Sequence, residues 1–127
     1  MPKVLISDKL SEAAVEIFKK QNIDTDYKPG ITSSELLDII HKYDGLAIRS
    51  ATKVTQEVFE KAVNLKIVGR AGIGTDNIDK NAATKSGVIV MNTPYGNAVT
   101  TAEHTIALLM SLVRMIPRAD DSTRKGK

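Results

Sequence analysis

Short runs rich in β-branched residues alternate with amphipathic stretches along almost the whole chain. Residues 3–7, KVLIS, read as a strand, and in the following SEAAVEIFKKQ the residues Ala13, Ala14, Ile17 and Phe18 recur at helical spacing on one face. IDTDY (23–27) is a weaker strand pattern. Thr32 and Glu35 stand at capping-box spacing where SSELLDIIHKY opens, and Gly45 leads into the strand LAIR. Thr55 is placed to cap QEVFEKAV, and KIVGR (66–70) forms the fourth strand. DKNAATKSG is a helix that Gly87 closes before the last strand, VIVM.

That order predicts an α/β fold, a doubly wound five-stranded parallel sheet. Each parallel crossover has to carry the chain back along the sheet, and the helices that do so cover its faces. Ligands of such sheets bind beyond the carboxyl ends of the strands. The rim candidates are therefore Ser7 and Asp8, Arg49 and Ser50, the segment from Arg70 to Asn77, and that from Asn92 to Asn97. Two arginines at strand ends, converging on one rim, favour an anionic ligand over a pair of solvated edge charges.

The segment from Thr100 to Ile116 is different. Ala102, Ile106, Leu109, Met110 and Val113 fall on one side and Ala107, Leu108, Leu112 and Met115 on another, so the helix is apolar almost all round. Such a helix needs cover on several faces, more than one small sheet supplies. Pro117 is expected to end it, with the residues beyond unstructured, as though the chain stops where another domain begins. A helix that caps the sheet alone, or pairs in a homodimer, is the other arrangement the pattern allows.

Composition narrows the classes. A chain of 127 residues, 42% hydrophobic and 26% charged, suits a single soluble core. It has no apolar run of about 18 residues to span a bilayer and no signal-peptide core near its start, so a cytoplasmic location is expected. Cysteine is absent, which removes disulfides, thiolate nucleophiles and Cys-based metal sites. Most of the net charge of +3 lies in PRADDSTRKGK at the end of the chain. With only three Tyr and two Phe as stacking platforms, neither nucleic acid nor membrane is an expected partner.

A glycine loop after the fourth strand invites comparison with the dinucleotide fingerprint G-x-G-x-x-G. From Gly72 the chain runs GIGTDN, with Asn77 at the third glycine position, and the next strand ends in Met91 and Asn92 rather than in an acidic residue. Asp76 and Asp79 stand where a pyrophosphate needs positive potential. A pyrophosphate cradle is disfavoured. Two readings remain. In one, successive N–H groups from Gly72 to Gly74 form a nest for a single carboxylate or phosphate, with Asp76 and Asn77 capping the next helix and bracing the loop. In the other, the loop is a plain left-handed turn held by an Asx cap.

The blocks IRSATKV (48–54), VGRAGIGTDNID (68–79) and GVIVMNTPYGNAVTTAEHTIALL (87–109), in this order, resemble the amino-terminal portion of the D-2-hydroxyacid dehydrogenases over essentially the whole chain. The resemblance implies a flavodoxin-like substrate-binding domain over residues 1–98. Over 99–127 it implies a connecting helix and the incomplete start of a Rossmann domain that is otherwise missing from the chain. It implies NAD as cofactor and a small anionic 2-hydroxy acid as substrate, most specifically 3-phosphoglycerate on the route to serine, with homodimerisation through the 100–116 helix.

By the same resemblance, the amides of Gly72, Ile73 and Gly74 hold the substrate carboxylate, and Ile73 also adjoins the nicotinamide. Arg49, Ser50 and Arg70 form a polar wall facing the substrate's charges, and Asn97 is an active-site asparagine at the domain hinge. Thr75 replaces a usually apolar residue, with its side chain expected to face away. The family's catalytic Arg, Glu and His lie downstream of Lys127. The chain alone is thus expected to carry no catalytic or metal-binding residue, bind no NAD and turn nothing over, with His41 and His104 structural.

Other classes fit less well. A receiver-type signalling module needs an acidic pair after the first strand, an Asp ending the third and a Lys ending the fifth, where this chain has Asp8 alone, Arg49 and Asn92. A flavodoxin needs a Ser/Thr-rich phosphate loop and aromatic flavin contacts, which SDKLSEAA does not supply. The remaining alternative is a free-standing flavodoxin-like interaction or dimerisation module without catalysis.

Overall fold

A computed structural model describes residues 1–127 and contains five strands: β1 (Lys3–Ile6), β2 (Asp24–Tyr27), β3 (Gly45–Ile48), β4 (Ile67–Arg70) and β5 (Ile89–Met91). Between them run α1 (Glu12–Lys20), α2 (Ser33–Ile39) with a 3-10 turn at Ile40–Lys42, α3 (Gln56–Lys61) and α4 (Lys80–Lys85), and after β5 come α5 (Ala98–Val113) and α6 (Ile116–Arg124). All pairings are parallel and the strand order is β2-β1-β3-β4-β5, the order of flavodoxin, as the alternation predicts. With right-handed crossovers, the reversal of direction after β2 puts α1 on one face and α2 to α4 on the other.

The two faces follow from the period of two. Leu5, Leu46, Val68 and Val90 are register partners in one row across β1, β3, β4 and β5. They join Leu36, Ile40, Val58, Phe59, Ala82 and Ala83 of α2 to α4 in the main core. Removing a Val or Leu side chain of this kind from water is worth about 1.5–3 kcal/mol. The alternate row, Ile6, Ala47, Gly69 and Met91, turns to the α1 face. On α1 itself, Ala14, Val15 and Phe18 are the partly buried side chains, whereas Ala13 and Ile17, expected on the buried stripe, are exposed.

Local signals largely hold at the helix ends. Thr32 and Glu35 form the predicted capping box, with Thr32 Oγ1 accepting from Glu35 N and the Glu35 carboxylate accepting from Thr32 N. Thr55 occupies the N-cap of α3, but its side chain makes no capping bond. Gly87, at φ +67, closes α4 as predicted. Its N–H donates to Thr84 O and that of Val88 to Ala83 O, the paired bonds of a Schellman motif.

Residues Met1–Pro94 form one compact unit and Tyr95–Lys127 another. The second unit departs from expectation twice. Its long helix stops at Val113 because Met115 takes a left-handed conformation (φ 50), and Pro117 does not end a helix but lies in the first turn of α6. Proline suits that turn, where no N–H partner is needed. The segment expected to be unstructured is helical, with Asp120–Arg124 and Asp121–Lys125 pairing one turn apart at 3.0 and 2.9 Å. On α5 the apolar side chains of Ile106, Leu108, Leu109, Met110, Leu112 and Val113 remain exposed. No single helix is long and apolar enough to cross a membrane.

Candidate functional site

Beyond β3 the chain turns through Arg49, Ser50, Ala51 and Thr52, and a buried carboxylate organises this turn. Asp8, directly after β1, is 4% exposed, and none of the chain's ion pairs includes it. It accepts from Arg49 N at 2.6 Å, from Thr52 N at 3.1 Å and from Thr52 Oγ1 at 2.6 Å. Because that bond uses the hydroxyl's one proton, Ser7 Oγ, 2.8 Å away, is the donor to Thr52 Oγ1. A charge hidden from water is tolerated only when such donors replace the lost hydration.

The turn after β4 is bonded to the first. Ala71 N donates to Ile48 O (2.9 Å) and Arg70 Nε to Arg49 O (3.3 Å), while Arg70 Nη1 meets Asp76 Oδ1 at 3.1 Å. The guanidinium lies against the glycine loop, so a Cβ on Gly74 would stand 2.8 Å from both Arg70 Nη1 and Asp76 Oδ1. Neither Gly72 nor Gly74 has a positive φ, so what glycine provides at 74 is room for the Arg70–Asp76 contact, which a side chain there would displace.

The left-handed turn is not formed and the nest falls short of the one expected, because no residue of the loop has a positive φ. Gly72 N–H donates to Arg70 O at 2.9 Å, which leaves the amides of Ile73 and Gly74 without an acceptor in the chain. Asn92 Nδ2 holds Ile73 O at 2.7 Å, and Thr93 N holds Gly72 O at 3.0 Å, so the loop's carbonyls are tied back while those two amides stay free.

Asn77 joins the two turns. Its Nδ2 donates to Arg49 O (2.8 Å) and to Thr52 O (2.6 Å), while Oδ1 is buried without a partner. An amide flip would set Oδ1 against two carbonyls, so the hydrogen-bond network decides this orientation. An unsatisfied buried acceptor costs about 1–3 kcal/mol, which the double donation offsets. Val54 and Ile78 form a parallel bridge alongside, with Val54 N on Asn77 O and Asp79 N on Val54 O. Asp79, rather than Asp76 or Asn77, caps α4 by accepting from Ala82 N at 2.9 Å.

Of the residues singled out from the sequence, Arg49, Ser50, Arg70, Gly72, Ile73 and Gly74 come together on this rim. Arg49 is exposed, with Lys9 O at 3.5 Å as its guanidinium's only protein partner and no carboxylate, whereas Arg70 is paired with Asp76. Ile73 is 42% exposed. Asn97 belongs to the second unit as the N-cap of α5, where its carbonyl accepts from Thr101 N and its side chain makes no capping bond. His41, in the 3-10 turn, and His104, in α5, are exposed, and no cluster of His, Asp or Glu is arranged to hold a metal.

Sequence reasoning placed Asp8, Asn77 and Asn92 on the rim without giving them a part in the ligand site, and it missed Thr52. Thr52 lies four residues beyond the end of β3, where no local pattern marks it. A separate cleft of about 440 Å³ beside β2 is lined by Lys28, Glu35 and Asp38 among others, and two acids to one base suit an anion poorly. The glycine loop also fits a dinucleotide pyrophosphate poorly. Five residues separate Gly74 from α4, Asp79 caps that helix, and Asp76 adds a negative charge.

A flavodoxin-order sheet whose carboxyl rim carries an arginine without a carboxylate partner and two amides without acceptors defines a doubly wound α/β domain. Residues 4–125 match the family described as D-isomer specific 2-hydroxyacid dehydrogenase, catalytic domain, and the chain belongs to that family. Among its relatives, the D-3-phosphoglycerate dehydrogenase of Archaeoglobus fulgidus is 47% identical over 125 residues, covering 98% of this chain and 24% of that protein. The enzyme of the same name from Bacillus subtilis is 47% identical over 124 residues, with 98% and 23% covered. The chain thus spans about a quarter of the length of these curated relatives. A crystal structure from Pyrococcus horikoshii superposes with a TM-score of 0.86 at 35% identity, covering 99% of this chain and 38% of the other. An NAD+-bound 3-phosphoglycerate dehydrogenase of Entamoeba histolytica gives a TM-score of 0.75 at 28% identity, with 87% and 38% covered.

Proposed function

We propose that residues 1–98 are the substrate-binding portion of an NAD-dependent dehydrogenase that oxidises 3-phosphoglycerate to 3-phosphohydroxypyruvate in serine biosynthesis, and that 99–127 lead into its cofactor domain. The observation that carries this reading is the pairing of an unneutralised Arg49 with the free amides of Ile73 and Gly74 on turns bonded to each other. The names of the relatives add the substrate.

In this reading the amides of the Gly72–Gly74 loop hold the substrate carboxylate. Arg49 and Ser50 face the phosphate, while Arg70 carries positive potential under the loop and keeps its shape. Ile73 presents an apolar surface to the nicotinamide ring, and Asn97 lies at the hinge. NAD would supply the hydride acceptor for C2 of the substrate. These residues orient C2 and assist by removing freedom from the anion. The acid–base group for the C2 hydroxyl proton is assigned to no residue of this chain. Residues 1–127 alone are accordingly proposed to bind no NAD and to turn over no substrate.

Nicotinamide reduction by the protein at its full encoded length tests the reading. Arg49→Gln removes a charge-assisted contact, so KM for 3-phosphoglycerate should rise about 10- to 100-fold. Turnover of an unphosphorylated hydroxy acid with equal kcat/KM, or no turnover at all, overturns it. The exposed apolar side chains of α5 support a second element, pairing with a second copy of the chain. Sedimentation as a monomer at micromolar concentration would remove that element. Self-association without any response to 3-phosphoglycerate would instead favour a non-catalytic dimerisation module.

A further inference from the structure

We propose that Asp8 and Asn77 are positioning residues that jointly set the Arg49–Thr52 turn for anion binding, an inference that rests on the rim being the hydroxy-acid site. Asp8 accepts from the N–H groups of Arg49 and Thr52, and Asn77 donates to the carbonyls of the same two residues. All four backbone groups at the two ends of the turn are therefore held by side chains from the loops that follow β1 and β4. The side chains of Arg49 and Ser50 leave from within that clamp.

Two features separate this arrangement from ordinary turn bracing. Asp8 bonds the amide of Arg49 and not its guanidinium, so a buried anion fixes the backbone while the side-chain charge stays available to a ligand. Asn77 keeps its Oδ1 buried and unpartnered, a cost accepted where a side chain must donate twice at one place. The Asp8 carboxylate is stable only while the turn keeps both N–H groups and the Thr52 hydroxyl aimed at it. Turn and anion thus hold each other in one conformation, and an ordered turn binds a ligand without the cost of ordering it first.

The test uses the protein at full encoded length with Asp8→Asn and Asn77→Asp. Each variant should speed amide exchange at Arg49 and Thr52 about tenfold while leaving β4 protected. KM for 3-phosphoglycerate should rise about tenfold, with kcat and the KM for NAD changed by less than about threefold. The double variant should show less than the product of the two effects, because both act on one turn. If Asp8→Asn does not fold, Thr52→Val removes one donor at constant shape and should raise the same KM severalfold. Faster exchange with an unchanged KM would show that the clamp serves the fold alone and overturn the proposal. A wild-type protein that does not oxidise 3-phosphoglycerate overturns the functional reading and this proposal together, a result distinct from active wild type with unaffected variants.

Discussion

The guanidinium of Arg70 meets the carboxylate of Asp76 at 3.1 Å over Gly74, with the Arg70 side chain 12% exposed and that of Asp76 84% exposed. The pair is lopsided. The cation is held by the Arg49 carbonyl as well, while the anion stands in water. Asp76→Asn therefore leaves Arg70 in place and adds one net positive charge to the rim. Affinity for 3-phosphoglycerate should rise at low ionic strength, and the gain should vanish near ~1 M salt, where charges beyond about 3 Å are screened. Calorimetric titration at two salt concentrations checks this, and a gain that persists at high salt would refute it.

Gly74→Ala places a methyl where the Arg70–Asp76 contact now sits. Because both neighbours are ends of flexible side chains, the fold should tolerate it, with stability lower by less than about 1 kcal/mol. Binding should suffer more, as Arg70 is pushed off the loop. Urea unfolding together with KM measurements would distinguish this from a substitution that unfolds the loop.

The two threonine caps offer a matched comparison. Thr32→Ala breaks a complete capping box and should cost about 1 kcal/mol, whereas Thr55→Ala removes a side chain that bonds nothing and should cost less than about 0.5 kcal/mol. Equal losses in urea midpoint would contradict the observed geometry.

Acid sensitivity arises near the amino ends of the strands, away from the rim. The Tyr43 hydroxyl, 2.6 Å away, and then Lys3 hold the Asp26 carboxyl below its usual range. The Lys3 amide and Lys66 do the same for Asp44. Folded values lie below unfolded ones, so both carboxylates contribute stability above the unfolded pKa and lose it as pH falls through the folded values. Stability should drop below about pH 4. Tyr43→Phe raises the folded Asp26 value and should flatten that drop, as measured by urea midpoints across acid pH.

Val68, on β4 between β3 and β5, is fully buried. Val68→Ala leaves a small cavity and should cost about 2 kcal/mol, read from chemical denaturation. Ile89, 61% exposed at the edge strand, should tolerate the same change with little loss.

Much of this was legible in the chain. The periods of two and 3.6, the Thr32–Glu35 box and Gly87 are local patterns, and each produced the element it implied. The failures were local too. Pro117 reads equally as the end of one helix or the first turn of the next, and Met115, an ordinary residue in a left-handed turn, gives no sequence signal. The apolar run of α5 implied cover that residues 1–127 do not provide.

The sequence by itself determined the order of elements, the parallel sheet and the set of residues that reach its carboxyl rim, because hydrophobic period and chain direction suffice for these. Only the tertiary structure decided which of those residues remain free. Asp8 finds the Arg49 amide 41 positions away, Asn77 reaches back 28 positions to the Arg49 carbonyl, and Arg70 is paired with a carboxylate while Arg49 is not. Such pairings depend on which strand ends lie side by side and on angstrom distances between side chains, and no local pattern along the chain encodes either.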